Sequence, residues 1–144
     1  MFFKKKLISS DHELRLLKAI ELAELKTSGE IRVHIEKTCK DDVIETAKKK
    51  FNQLNMHQTK DRNGILFYLA INSKSFAVWG DEGIHQKVTD DFWKSITDSA
   101  MYYFKQNDLI SGIEKAIEMC GEKLKLHFPI EKNDKNELSN DISY

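Results

Sequence analysis

Cysteine is scarce in this chain of 144 residues: Cys39 and Cys120 stand alone, with no Cys-x-x-Cys spacing. Neither a disulfide framework nor a zinc site is expected of them, and Cys120 falls on the apolar stripe of a predicted helix. No apolar run approaches the ~18 residues of a membrane-spanning helix. The opening Met1–Ile8 has charge but lacks the ~7–15 apolar residues of a secretory signal. A cytoplasmic protein is therefore expected, with Phe2, Phe3 and the lysines after them read as a frayed terminus rather than a membrane contact. Charge of one sign is missing too: 23 basic and 23 acidic residues give a formal net charge of zero. That removes the long-range field of a general nucleic-acid binder. Gly-x-Ser-x-Gly, a phosphate-binding glycine loop and Gly-x-Gly-x-x-Gly are all absent, so serine hydrolase, nucleotidase and dinucleotide readings lack support. His12, His57, His85 and His127 make no metal-ligand pair at helical or strand spacing.

At this length a single core buries roughly 70% of the surface of the unfolded chain, so one domain needs no covalent staple. Ser10-x-x-Glu13 has the form of a capping box, and Leu16, Leu17, Ile20 and Ala23 make one helical face after it. Leu14, Leu22 and Leu25 widen the apolar surface toward a second neighbour or a partner chain. Ile31, Val33 and Ile35 alternate with Glu30, Arg32, His34 and Glu36, the period of a strand with one buried face. In that pattern His34 belongs to a solvated or salt-bridged row, with a role as a base the weaker reading. Val43, Ile44, Ala47, Phe51 and Leu54 recur at helical spacing. Residues 64–71 are apolar without alternation, as in a central strand covered on both sides. Asn72-Ser73-Lys74 turns the chain into a hairpin partner at 75–79. Thr89-Asp90-Asp91 opens a helix with Phe92, Trp93, Ile96 and Ala100 inward. A last helix carries Ile110, Ile113, Ile117, Cys120 and Leu124, with Gly121 placed for close approach of another backbone, and Pro129 ends it. The reading is α/β, with the order αβαββαα, a small mixed sheet of three or four strands and helices on its faces. Residues 1–129 form one domain; 130–144 form a polar tail, either loosely ordered or docked by Leu138, Ile142 and Tyr144.

A strand–helix–strand crossover makes 30–36 parallel to 64–71, and the hairpin reverses 75–80. The start of the first strand, the start of the second and the end of the third then share a pole. Glu30, Asp61, Asn63 and Asp81 converge there, and Asp90 follows closely. Such oxygen donors suit a hard cation, calcium or magnesium, with metal ligands Glu30, Asp61, Asp81 and Asp90. The plainer alternative has Asp90 and Asp91 complementing a helix dipole, Asp61-Arg62-Asn63-Gly64 as a turn, and Glu30 paired with Arg62. Trp79 and Trp93 read as packing rather than as a base-stacking platform.

The segments Ser28-Gly29-Glu30-Ile31-Arg32-Val33, Arg62-Asn63-Gly64-Ile65-Leu66 and Gly80-Asp81-Glu82-Gly83-Ile84, with Val88-Thr89-Asp90 and the closing amphipathic helix, resemble the TPM-domain family. His127-Phe128-Pro129 and Asn136-Glu137-Leu138 are similar to a short bacterial subgroup of it. The family's relatives include thylakoid-lumen proteins linked to photosystem II repair. The resemblance implies a Rossmann-like three-layer α/β/α sandwich, divalent-cation binding, and a disputed acid-phosphatase activity in the plant branch. Asp90 matches the family's acidic position after the glycine segment, whereas His85 stands where many relatives have glutamate. A cation-binding domain that engages a protein partner is the leading expectation; a metal-assisted phosphomonoesterase, with Arg32 and Arg62 as the nearby cations, is the alternative.

Overall fold

The computed structural model of the chain describes residues 6–131 and 136–144. The expectations for Phe2 to Lys5 and for the polar run 133–135 lie outside them. The first helix, α1 (Ser10–Glu24), is capped by Ser9, whose side chain accepts from the His12 N–H. The expected box on Ser10 is therefore displaced by one residue. Its acidic half is engaged elsewhere, because the Glu13 carboxylate takes hydrogen bonds from the Tyr144 hydroxyl at 2.5 Å and from Lys6 at 3.0 Å.

The chain then forms β1 (Glu30–Glu36), α2 (Val43–Gln53), β2 (Gly64–Ala70), β3 (Ser75–Gly80), a one-turn α3 (Glu82–His85), α4 (Asp90–Phe104) and α5 (Leu109–His127). Only α3 adds to the order read from the sequence. The sheet has three strands in the order β1-β2-β3. β1 and β2 run parallel from Glu30↔Gly64 to Glu36↔Ala70, and β3 is antiparallel to β2 from Ile65↔Gly80 to Ala70↔Ser75. β2 is buried throughout, as its unbroken apolar run requires.

Strand alternation divides the core into two layers. Ile31, Val33, Ile35, Ile65, Phe67 and Leu69 face one way, into the cluster that includes Leu16 and Ile20 of α1, Ile96 of α4 and Ile113 and Ile117 of α5. Tyr68, Ala70 and Ala77 face the other way, against Ala47 of α2, while Leu66 meets Phe51 and Met56. Gly121 does what its position suggested: a Cβ there would lie 2.9 Å from that of Ala23, so α1 and α5 touch nearly backbone to backbone.

The described tail docks. Ile142 is buried, the Ile35 N–H donates to the Ser143 carbonyl at 2.9 Å, and the Ser143 N–H donates to the Val33 carbonyl at 3.0 Å. A parallel bridge between His34 and Ser143 thus closes the outer edge of β1.

Candidate functional site

Strand direction brings the starts of β1 and β2 and the end of β3 to one pole, and with them Glu30, Asn63 and Asp81, whose local chemistry then separates them. Arg62, held at φ 50° before β2, points its guanidinium at Asp81 just after β3. Its Nε and Nη2 donate to the two Asp81 oxygens at 2.7 and 2.8 Å, and its Nη1 donates to Glu82 at 3.2 Å. Asp81 also caps α3, accepting from the Glu82 N–H at 2.8 Å. Arg62 therefore pairs with Asp81 and not with Glu30, correcting the alternative drawn from the sequence. A bidentate fork suits a carboxylate better than a single contact does, and Asp81 is the carboxylate that the hairpin returns to Arg62. Gly83 locks this arrangement: a Cβ there would lie 2.2 Å from the Asp61 carbonyl oxygen, and its N–H donates to the Arg62 carbonyl at 3.0 Å.

Asp61 is partly exposed on a polar cleft of about 290 Å³ that it shares with Ser28, Lys87, His127 and Glu131. Asp90 is exposed in the first turn of α4. Among the described residues no group of three or more histidine, cysteine, aspartate or glutamate side chains is placed to hold a metal ion. Both Asp81 oxygens are engaged, by Arg62 and by the Glu82 N–H, while Asp61 and Asp90 stand nearer solvent.

Glu30 is different. It is 2% exposed, its backbone N–H donates to the Asn63 carbonyl at 3.2 Å, and its Oε1 accepts from the Glu137 N–H of the tail at 2.5 Å. Burial pushes its carboxyl up to about 8; the Glu137 amide acts against that, and the adjacent Glu24 carboxylate adds to it. Glu24 in turn accepts from the Ile31 N–H at 2.8 Å. Beside Glu30, Asn63 is 1% exposed; its Nδ2 reaches Ser28 Oγ at 3.4 Å, while its Oδ1 has no hydrogen-bond partner among the described residues. An amide oxygen buried in that state costs about 1–3 kcal/mol. Glu24 is the site residue that sequence reasoning passed over, since it sits in the last turn of an ordinary amphipathic helix.

A second polar cluster lies farther along β1. His34 is 1% exposed, its Nδ1 lies 2.7 Å from Ser143 Oγ, and its Nε2 lies 2.9 Å from Glu36 Oε1. The Tyr68 hydroxyl donates to Glu36 Oε2 at 2.5 Å, and Lys50 Nζ stands 3.4 Å from Oε1. Burial opposes ionisation of Glu36, but the Tyr68 hydroxyl, His34 and Lys50 hold its carboxyl below the ordinary value. Burial, then Glu36, push the Tyr68 hydroxyl upward. The salt-bridged row expected for His34 is present, but the row is covered rather than solvated. Tyr68 and Ser143 were the partners left unrecognised; a lone hydroxyl inside the apolar run of β2 was the available signal for Tyr68. Ser143 Oγ, beside the imidazole, also reaches the Val33 carbonyl at 3.4 Å. The two arginines considered for a phosphate are likewise engaged, Arg62 by Asp81 and Arg32 by the Asp141 carbonyl.

The profile of the TPM domain matches residues 2–123. The chain is similar, at 40% identity over 99% of both chains and a TM-score of 0.90, to the BA42 protein of the psychrophilic bacterium Bizionia argentinensis, solved by NMR. The N-terminal domain of the cg2496 protein from Corynebacterium glutamicum, at 14% identity over 96% of this chain and 81% of its own, shares the fold with a TM-score of 0.66. No curated protein matches the chain. No described helix is long and apolar enough to cross a membrane.

Proposed function

Because this chain belongs to the TPM-domain family, we propose that it is a domain that binds a divalent cation, calcium or magnesium, where β1 and β2 begin, and that it acts through a protein partner. What carries the reading is the orphaned Oδ1 of the buried Asn63 beside the buried Glu30 carboxylate. A hard cation takes oxygen donors and accepts water for the rest, so it supplies the partner that the Asn63 Oδ1 lacks among the described residues and offsets the crowding of Glu24 against Glu30. Asp61, on the neighbouring cleft, is the next donor. Asp81 contributes only if it leaves Arg62, and Asp90 acts from the exposed start of α4. Loading Glu30 also bears on the tail, whose Glu137 amide it holds. The surface offered to a partner then depends on the ion.

The test is an NMR titration of metal-free protein with calcium and with magnesium. Shifts should concentrate at 28–31, 61–64 and 136–138, and both Asn63→Ala and Glu30→Gln should remove them. Unchanged spectra up to about 10 mM metal, above the range of weak extracellular calcium sites, would overturn the reading.

A further inference from the structure

The outward face of α1 carries leucine where a surface helix carries polar residues. Leu14, Leu22 and Leu25 are 64, 50 and 69% exposed, although the opposite face of the same helix is fully buried through Leu16 and Ile20. An apolar trough of about 740 Å³ runs beside them between α1 and α5, floored by Ala19 and Ala23. Isolated exposed leucines need no explanation, but leucines aligned on one face beside a groove mark an interaction surface.

The charges among these leucines identify the occupant. Lys18 and Glu21 are exposed on the same face, and neither makes an ion pair or hydrogen bond among the described residues. The neighbouring charges are engaged instead: Arg15 is bound to Glu114 and Lys26 to Glu122. Lys18 and Glu21 lie equally far on either side of the point between Ala19 and Ile20, and so do Leu14 and Leu25. A two-fold axis through that point sets two α1 helices antiparallel. Leu14 then meets the partner's Leu25, and Lys18 meets the partner's Glu21, each contact occurring twice. Self-complementarity of this kind is what an isologous interface demands.

We propose that this face of α1 is a homodimer interface, in which two copies of the chain pack α1 against α1 with reciprocal Lys18–Glu21 pairs between leucine contacts. The proposal does not depend on a cation, and it is tested with chelator present. Sedimentation velocity over a concentration series should show a reversible monomer–dimer equilibrium. Lys18→Glu and Glu21→Lys each place like charges opposite one another and should weaken it about tenfold or more. An equimolar mixture of the two variants should associate again, because the reversed charges complement across the heterodimer, and the double reversal in one chain should restore the homodimer. Both positions are exposed, and circular dichroism checks that each variant is folded. A protein that stays monomeric to about 1 mM, single reversals without effect, or a mixture no tighter than its components would each overturn the interface.

Discussion

Two buried polar clusters lie along β1 and are met by the same tail, yet they are built differently. Around His34 each polar group faces a partner: Ser143, Glu36, Tyr68 and Lys50 form a connected set, and Glu36 stays ionised within it. Around Glu30, the carboxylate is pushed toward its protonated form and the Asn63 Oδ1 finds no donor among the described residues. A satisfied network at depth ties a segment down, whereas an acceptor left unpaired at depth carries a cost that a donor or cation would relieve. Both clusters hold the tail, and the one around Glu30 alone leaves a buried acceptor open among the described residues.

The largest effect comes from removing what the clusters share. Deleting residues 136–144 should cost roughly 3–5 kcal/mol in urea unfolding, through the buried Ile142 and the hydrogen bonds to β1. A loss under about 1 kcal/mol would show that neither cluster relies on the tail. The contrast itself is exposed by paired truncations in chelator. His34→Ala takes a partner from both Glu36 and Ser143, opens a cavity beside Tyr68 and should cost about 2–4 kcal/mol, while Asn63→Ala removes an acceptor unpaired among the described residues and should change stability by no more than about 1 kcal/mol. Equal costs would break the distinction.

Titration sharpens it next. Glu30 is raised in the folded chain from 4.5 to about 8, so its contribution is full below pH 4.5 and is lost as the pH rises to about 8. Metal-free protein should become less stable across that window. Glu30→Gln should flatten the decline and gain about 1–2 kcal/mol at the alkaline end, as followed by urea unfolding at several pH values. Glu36 has the opposite sign: its folded carboxyl is lowered, so its contribution holds above the unfolded value and fades in acid. The smallest effect belongs to Tyr144→Phe, which loses the hydroxyl donated to Glu13 and should lower stability by about 0.5–1 kcal/mol, measured in the same way.

Most of the fold could be read from periodicity, because each element has a distinct apolar spacing. Alternation announced β1, the unbroken run at 64–71 announced the central strand, and Gly121 announced the close approach of another backbone, which is that of α1. Strand direction was enough to gather Glu30, Asn63 and Asp81 at one pole. It did not decide their partners. Arg62 chose Asp81 over Glu30 through the return path of the hairpin, and Glu24 reached Glu30 from a helix whose pattern records only its buried stripe. The polar face of β1 misled most, since a row of Glu30, Arg32, His34 and Glu36 looks solvated unless something distant covers it. What covers it is a tail whose Ser143 lies 109 residues from His34, with Lys50 of α2 reaching Glu36 at the far end.

That separation also sets an order in time. A ribosome releases β1 long before it releases Ser143, so throughout the synthesis of α2, the hairpin, α4 and α5 the outer edge of β1 has no strand beside it. An open edge is a template for pairing with another chain. Nascent chains halted short of the tail should therefore be the aggregation-prone species, and a chaperone that shields β1 should matter most at that stage.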